Sequence, residues 1–257
     1  MALLTVENLT MRFGGLTAVD ALTFSVAERT IHGLIGPNGA GKSTVFNCLS
    51  RFYSPQAGSI IMDGQDLLKR PPHAVIGLGL ARTFQNVELF RGMSVLDNVM
   101  VGQHTGFGGS FLTDMLGFGR GRAEEKARRQ KALATLELLG IAGDAFSYVG
   151  ALPYGKQKKV EFARALVSQP KLLLLDEPAA GLNPQETHAL GDLIAGLRDE
   201  LGITILLVEH DMSLVMRVCD TITVMEFGRR IANGRPEEIR RNEAVIKAYL
   251  GEGEASA

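Results

Sequence analysis

The apolar positions along the chain fall into three stretches of different character. Residues 3–35 carry short runs, LLTVENL, LTFSV and TIHGLI, of strand length and composition. GSIIMDG adds another short strand with turn signals at both ends. Residues 94–168 read as mostly helical, interrupted by the Gly-rich segment GFGGSFLTDMLGFGRGR. Strand and helix then alternate. KLLLLDE is an apolar run ending in two acids. A helix follows with Leu190, Leu193, Ile194, Leu197 and Leu201 on one face. Its start is signalled by Asn183 as N-cap, Pro184 at the first helical position and Glu186 at the third. ITILLVEH is the next buried strand, ITVMEFGRRIANG reads as a hairpin, and the tail as short helices with a frayed end.

Continuous apolar strands alternating with helices predict a mainly parallel sheet covered on both faces. The expected fold class is therefore α/β, with an N-terminal antiparallel β part. The chain, 1–257, reads as a single domain with a helical subdomain inserted at approximately 94–168.

Composition adds limits rather than a function. Of 257 residues, 46% are hydrophobic and 21% charged, an ordinary globular balance. The net charge of −1 provides no global field to recruit nucleic acid. The basic-rich run Arg120–Lys131 reads as a solvated helix face. Two cysteines, Cys48 and Cys219, sit in apolar segments, which suits core packing in a reducing compartment. MALLTVENLTMRF lacks the features of a signal peptide, and no apolar stretch has bilayer-spanning length. The expected setting is cytosolic, with any membrane role running through a partner.

GPNGAGKST, residues 36–44, matches G-x-x-x-x-G-K-[ST] between a strand and a helix, the context that motif requires. Glycines let backbone N–H groups turn onto phosphate oxygens, and the helix N-terminus adds positive potential. Gly36, Pro37, Asn38, Gly39, Ala40 and Gly41 would form the cradle. Lys42 would reach the β- and γ-phosphates of a nucleotide, Ser43 would hold Mg²⁺, and Thr44 would add a polar contact.

LLLLDEP, residues 172–178, supplies the second half. A buried strand ending in Asp176 puts a carboxylate at the sheet edge where α/β folds bind ligands. Asp176 suits Mg²⁺ through water, and Glu177 suits the general base for an attacking water. Gln85, in ARTFQN, could orient water or Mg²⁺, or be a surface amide. His210, at the end of LLVEHD, could bond the γ-phosphate, or be a satisfied core histidine. One further stretch, ALPYGKQKKVEFARAL, places Gly155, Lys156, Lys158 and Lys159 at a helix start, where the dipole disfavours cations. An expected anion would account for that.

Taken in order, these segments resemble the nucleotide-binding subunit of an ABC transporter, over almost the whole chain. The phosphate loop, Gln85, LPYGK, the Asp176–Glu177 strand end, AGLN at 180–183 and His210 match its series of motifs. The resemblance implies that Leu152, Pro153, Tyr154, Gly155 and Lys156 form the signature, which faces the ATP held by the opposite subunit. The family usually writes that signature LSGGQ. Pro153 stands at its Ser, Tyr154 at a Gly and Lys156 at its Gln, so the usual Ser contact to the γ-phosphate is missing. Asn183 replaces the usual Asp of the segment crossing the dimer interface. Phe13 lies where the family stacks an aromatic residue on adenine; a core Phe is the alternative.

More narrowly, GLARTFQNVELFRGMSVLDNVMVGQH, LPYG, AGLNP, VEHDM and IKAYLGE resemble the ATPase subunits of branched-chain amino-acid importers. Branches that move urea or amides, or extract lipopolysaccharide, share much of this wording. The resemblance implies MgATP as ligand, a second ATPase subunit, two transmembrane permeases and, indirectly, a periplasmic binding protein. It also implies residence on the cytoplasmic face of the inner membrane. NVELFRGMSV is the candidate permease contact, with core packing as the alternative. Three rival classes fit less well. Ribosome-acting ABC proteins resemble two cassettes in one chain, and here each motif occurs once. Coiled-coil DNA-repair ATPases need a very long insertion, for which Gln85 to Leu152 leaves no room. A phosphate-loop kinase needs neither LPYGK nor the Asp–Glu pair.

Overall fold

The computed structural model describes residues 1–83, 88–103 and 120–254. The chain divides into two compact units, one built from residues 1–85 and 171–257, the other from 86–170.

The first unit holds two sheets. An antiparallel sheet of order β2-β1-β4-β5 comprises β1 (Ala2–Phe13), β2 (Leu16–Ala27), β4 (Ala57–Met62) and β5 (Gln65–Asp66). β1 and β2 run for 12 residues each, well past the apolar runs visible in sequence. Bulges carry them through the polar positions: Asn8 and Ala21 both have φ of 48°. Side chains bond the displaced backbone there. Asn8 N–H donates to Thr23 Oγ1 at 2.9 Å and Ala21 N–H to Thr10 Oγ1 at 3.1 Å.

The second sheet has the order β10-β9-β3-β8-β7-β6. It comprises β3 (Ile31–Ile35), β6 (Leu80–Arg82), β7 (Leu172–Asp176), β8 (Thr204–Val208), β9 (Thr221–Glu226) and β10 (Arg229–Gly234). Every pairing is parallel except β9 with β10, the expected hairpin. All residues of β3, β7 and β8 are buried, as continuous apolar strands in a covered sheet should be. The predicted α/β class with a mainly parallel sheet and an antiparallel β part is what forms.

Parallel strands 3, 8 and 7 are neighbours, so their carboxyl ends share one edge. β3 leads into the phosphate loop and α1 (Lys42–Leu49). β7 ends on Asp176, and β8 leads to His210. Three segments far apart in sequence therefore converge at one place, where open α/β sheets take ligands.

The second unit is helical: α2 (Val95–Val101), α3 (Arg120–Leu138) and α4 (Tyr154–Leu166). Residues 123–127 of α3 are exposed, as the charge run predicts, while Ala132 and Leu136 are buried. In the first unit, α5 (Pro184–Leu201) starts on the predicted capping box. Asn183 Oδ1 accepts from Glu186 N–H at 2.9 Å, and Glu186 Oε2 accepts from Asn183 N–H at 3.0 Å. Leu190, Ile194 and Leu197 are buried, whereas Leu201 is exposed, because the helix ends on Gly202 in the left-handed conformation. No described helix is long and apolar enough to cross a membrane. Cys48 and Cys219 are free and buried, and burial pushes their thiols up to about 11 and about 12.

Candidate functional site

The phosphate loop is held by close backbone approaches that a side chain would block. A Cβ on Gly36 would lie 2.1 Å from the Met225 carbonyl oxygen. One on Gly41, whose φ is 99°, would lie 2.4 Å from the Ala18 carbonyl oxygen. Ala40 is buried, and its carbonyl accepts from Gly228 N–H at 3.0 Å, pinning the loop to the β9–β10 turn. Pro37 is half-buried; Asn38 and Gly39 are exposed at the loop tip. Lys42 is buried, with Nζ 2.6 Å from the Gly36 carbonyl oxygen and 2.9 Å from that of Pro37. The ammonium is thus folded back into the loop that carries it. Ser43 is exposed and Thr44 half-buried at the start of α1, whose first turn has no acidic residue. No acid of that turn opposes an anion at the helix end.

At the end of β7, Asp176 is buried, and its Oδ2 accepts from the Arg82 guanidinium at 2.7 Å. Arg82 also donates to Asn47 Oδ1 at 2.8 Å and Ser50 Oγ at 3.3 Å, and stacks over the Phe46 ring. It clamps the strand-end carboxylate to α1. Sequence reasoning passed over Arg82 although it stands in the quoted ARTFQN; the signal was a charged residue closing the apolar strand Leu80–Arg82.

Glu177 has φ of 46°, an uncommon conformation for a residue with a side chain. Its N–H donates to the Val208 carbonyl at 2.8 Å, which fixes the turn out of β7 against β8. Its Oε2 lies 3.9 Å from His210 Nδ1. The His210 side chain is 62% exposed, so it is no core histidine. Glu209, also passed over, is fully buried next to His210 in the chain. Its Oε1 accepts from Ala179 N–H at 2.7 Å, and its Oε2 from His210 N–H at 2.9 Å and Asp211 N–H at 3.2 Å. The clue was an acid directly after an otherwise apolar strand.

Phe13, at the end of β1, is 42% exposed and meets Tyr53 edge-on, with ring centroids 5.2 Å apart. It is not a core Phe, and a flat ligand can reach its ring. Gln85 lies outside the described residues, as does most of the Gly-rich segment 106–121.

The signature candidates lie in the helical unit. Pro153 is the N-cap of α4 and supplies no side-chain cap. Tyr154 is exposed, and Leu152 and Gly155 are half-buried. The three lysines do not simply await an anion. Lys156 pairs with Asp144 at 2.7 Å, Lys159 donates to the Leu139 carbonyl at 3.1 Å, and Lys158 is buried with Nζ over the Tyr154 ring. Nearby, Asn98 is fully buried and bonds both the N–H and the carbonyl of Phe90. Phe90 itself is 53% exposed, so core packing does not explain this part of NVELFRGMSV.

A family model described as "ABC transporter" matches residues 19–180, and one described as "Branched-chain amino acid ATP-binding cassette transporter" matches residues 229–255. The chain is 47% identical to the high-affinity branched-chain amino acid transport ATP-binding protein BraF of Pseudomonas aeruginosa, over 97% of this chain and 98% of that one. It is 48% identical to LivG of Salmonella typhimurium, with the same coverage. Among solved structures, it is similar to an ABC-transporter ATP-binding cassette in an ADP conformation. The TM-score is 0.85 at 32% identity, covering 98% of this chain and 99% of that chain. A nucleotide-free cassette gives a TM-score of 0.84 at 32% identity, covering 97% and 99%.

Proposed function

We propose a reaction cycle for this chain from one premise: it belongs to the ABC transporter family of ATP-binding subunits. It binds ATP and is an ATPase. The transport system it serves imports branched-chain amino acids. The names of its relatives and the family match over 229–255 support that branch over urea, amide or lipopolysaccharide systems.

One observation carries the residue roles: the phosphate loop, Asp176–Glu177 and His210 meet at the carboxyl edge of adjacent parallel strands. The triphosphate of ATP enters the cradle of residues 36–44, and Lys42 gives its ammonium to the β- and γ-phosphates. Phe13 stacks on the adenine. Glu177 takes a proton from a water that attacks the γ-phosphorus. The bond to the bridging oxygen breaks, leaving ADP and inorganic phosphate. His210, beside Glu177, holds a γ-phosphate oxygen. Ser43, Asp176 and Gln85 offer the hard oxygens that Mg²⁺ takes, and the ion would neutralise charge on the β- and γ-oxygens.

The segment Leu152–Lys156 opens α4 toward the nucleotide of a second ATPase subunit, its helix dipole facing that γ-phosphate. ATP joins the two subunits and hydrolysis parts them. Two permeases, contacted through the Phe90 segment on the cytoplasmic face of the inner membrane, receive the motion. A periplasmic binding protein delivers the solute. Affinity capture of the chain from native membranes in mild detergent tests this. Recovery of two multi-spanning permeases, a second ATPase and a periplasmic amino-acid binder is the expected result. Recovery of ribosomes or chromatin instead would overturn the transport role.

A further inference from the structure

Glu209, directly after β8, has no task in the proposed cycle. Burying a carboxylate completely is costly unless its oxygens are bonded. Its two oxygens serve different parts of the chain. Oε1 takes the N–H of Ala179, in the turn that leads from Glu177 to Asn183. Oε2 takes the N–H groups of His210 and Asp211. His210 Nδ1 lies 3.8 Å from Oε2 and 3.9 Å from the Glu177 carboxylate, within 4 Å of both acids.

We infer that Glu209 is a positioning residue that ties the segment 178–183 to the loop carrying His210, so that His210 keeps its place beside Glu177. This rests on the roles proposed above for Glu177 and His210. A single carboxylate makes the link because both of its oxygens accept. An amide of the same shape has one acceptor only, and its NH₂ would face an N–H donor. Glu209→Gln therefore cuts one end of the tie while conserving volume. Glu209→Asp keeps the charge but is one methylene too short to hold both ends.

The test is a double-mutant cycle in the full chain, reading kcat, ATP affinity and thermal unfolding for Glu209→Gln, His210→Ala and the pair. Glu209→Gln is expected to lower kcat ~10-fold or more, as small misplacements at a reacting centre do. ATP affinity should stay within ~2-fold, because the loss is confined to the chemical step. In the His210→Ala background the same substitution should cost less than ~2-fold, since residues acting through one another are not additive. Should Glu209→Gln fail to fold, Glu209→Asp runs the same cycle with a smaller loss. A loss that multiplies fully in the His210→Ala background, or an unchanged kcat in both Glu209 variants, overturns the inference and leaves the proposed roles standing. An unchanged kcat in His210→Ala itself overturns the role of His210 and the inference with it.

Discussion

In the proposed cycle two regions of this chain meet phosphate, and they are built differently. In the first unit, the strand-end site is fixed by groups from distant parts of its own fold. Gly36 and Gly41 lie against backbone carbonyls, Lys42 is held by two loop carbonyls, Arg82 holds Asp176, and Glu209 bridges two turns. In the second unit, the start of α4 has an N-cap without a side-chain bond, and its cations are turned to partners nearby in the same unit. The difference teaches what each region offers a nucleotide. The first is a preorganised half-site with charged groups of both signs. The second contributes mainly the N-terminal end of a helix dipole.

The largest expected effect lies in the first region. Glu177→Gln should lower kcat by ~10²–10³-fold while ATP binding persists, read by steady-state hydrolysis beside equilibrium binding. Unimpaired turnover would remove Glu177 as the base. Arg82→Met leaves Asp176 buried beside an apolar chain. Breaking a buried pair from one side should destabilise the fold by about 3 kcal/mol, measured by denaturant unfolding. A change below ~0.5 kcal/mol would mean that Arg82 does not clamp the strand end.

A third test probes how dry the first unit is behind the loop. His32 is buried against Phe24 and 2.9 Å from Thr223 Oγ1, and burial pushes its pKa from 6.5 down to about 4. The unfolded chain therefore takes up a proton that the folded chain refuses. The contribution is complete above pH 6.5 and fades as pH falls toward about 4, by about 3 kcal/mol in all. His32→Gln should flatten that slope in unfolding curves across this window. The smallest effect belongs to the second region. The Lys156–Asp144 pair is substantially exposed, so Lys156→Ala should change stability by less than ~1 kcal/mol. A larger loss would show that α4's start is braced as firmly as the phosphate loop.

Sequence exposed what is local. The Asn183–Pro184–Glu186 cap, the apolar central strands and the phosphate loop are each written within a few residues. Features made by distant partners were hidden. Arg82 meets an acid 94 positions away and Glu209 a backbone N–H 30 positions away, and no periodicity encodes either. Lys156 looked available for an anion because its acid, Asp144, lies 12 residues upstream beyond the turn into the helix. Leu201 fits the helical period yet is exposed, because it is the last residue of α5, directly before the Gly202 cap.

The most direct test of this division of labour is the ATP affinity of the isolated full chain, by titration calorimetry. Lys42→Ala removes the held ammonium, and Gly155→Asp puts a carboxylate at the start of α4. The account predicts that Lys42→Ala weakens binding ~10-fold or more, as loss of a charged hydrogen bond does. Gly155→Asp should leave it within ~2-fold of the unaltered chain, because that helix end serves another subunit's nucleotide. An equal loss in both variants would contradict the account, since both regions would then grip the same ATP.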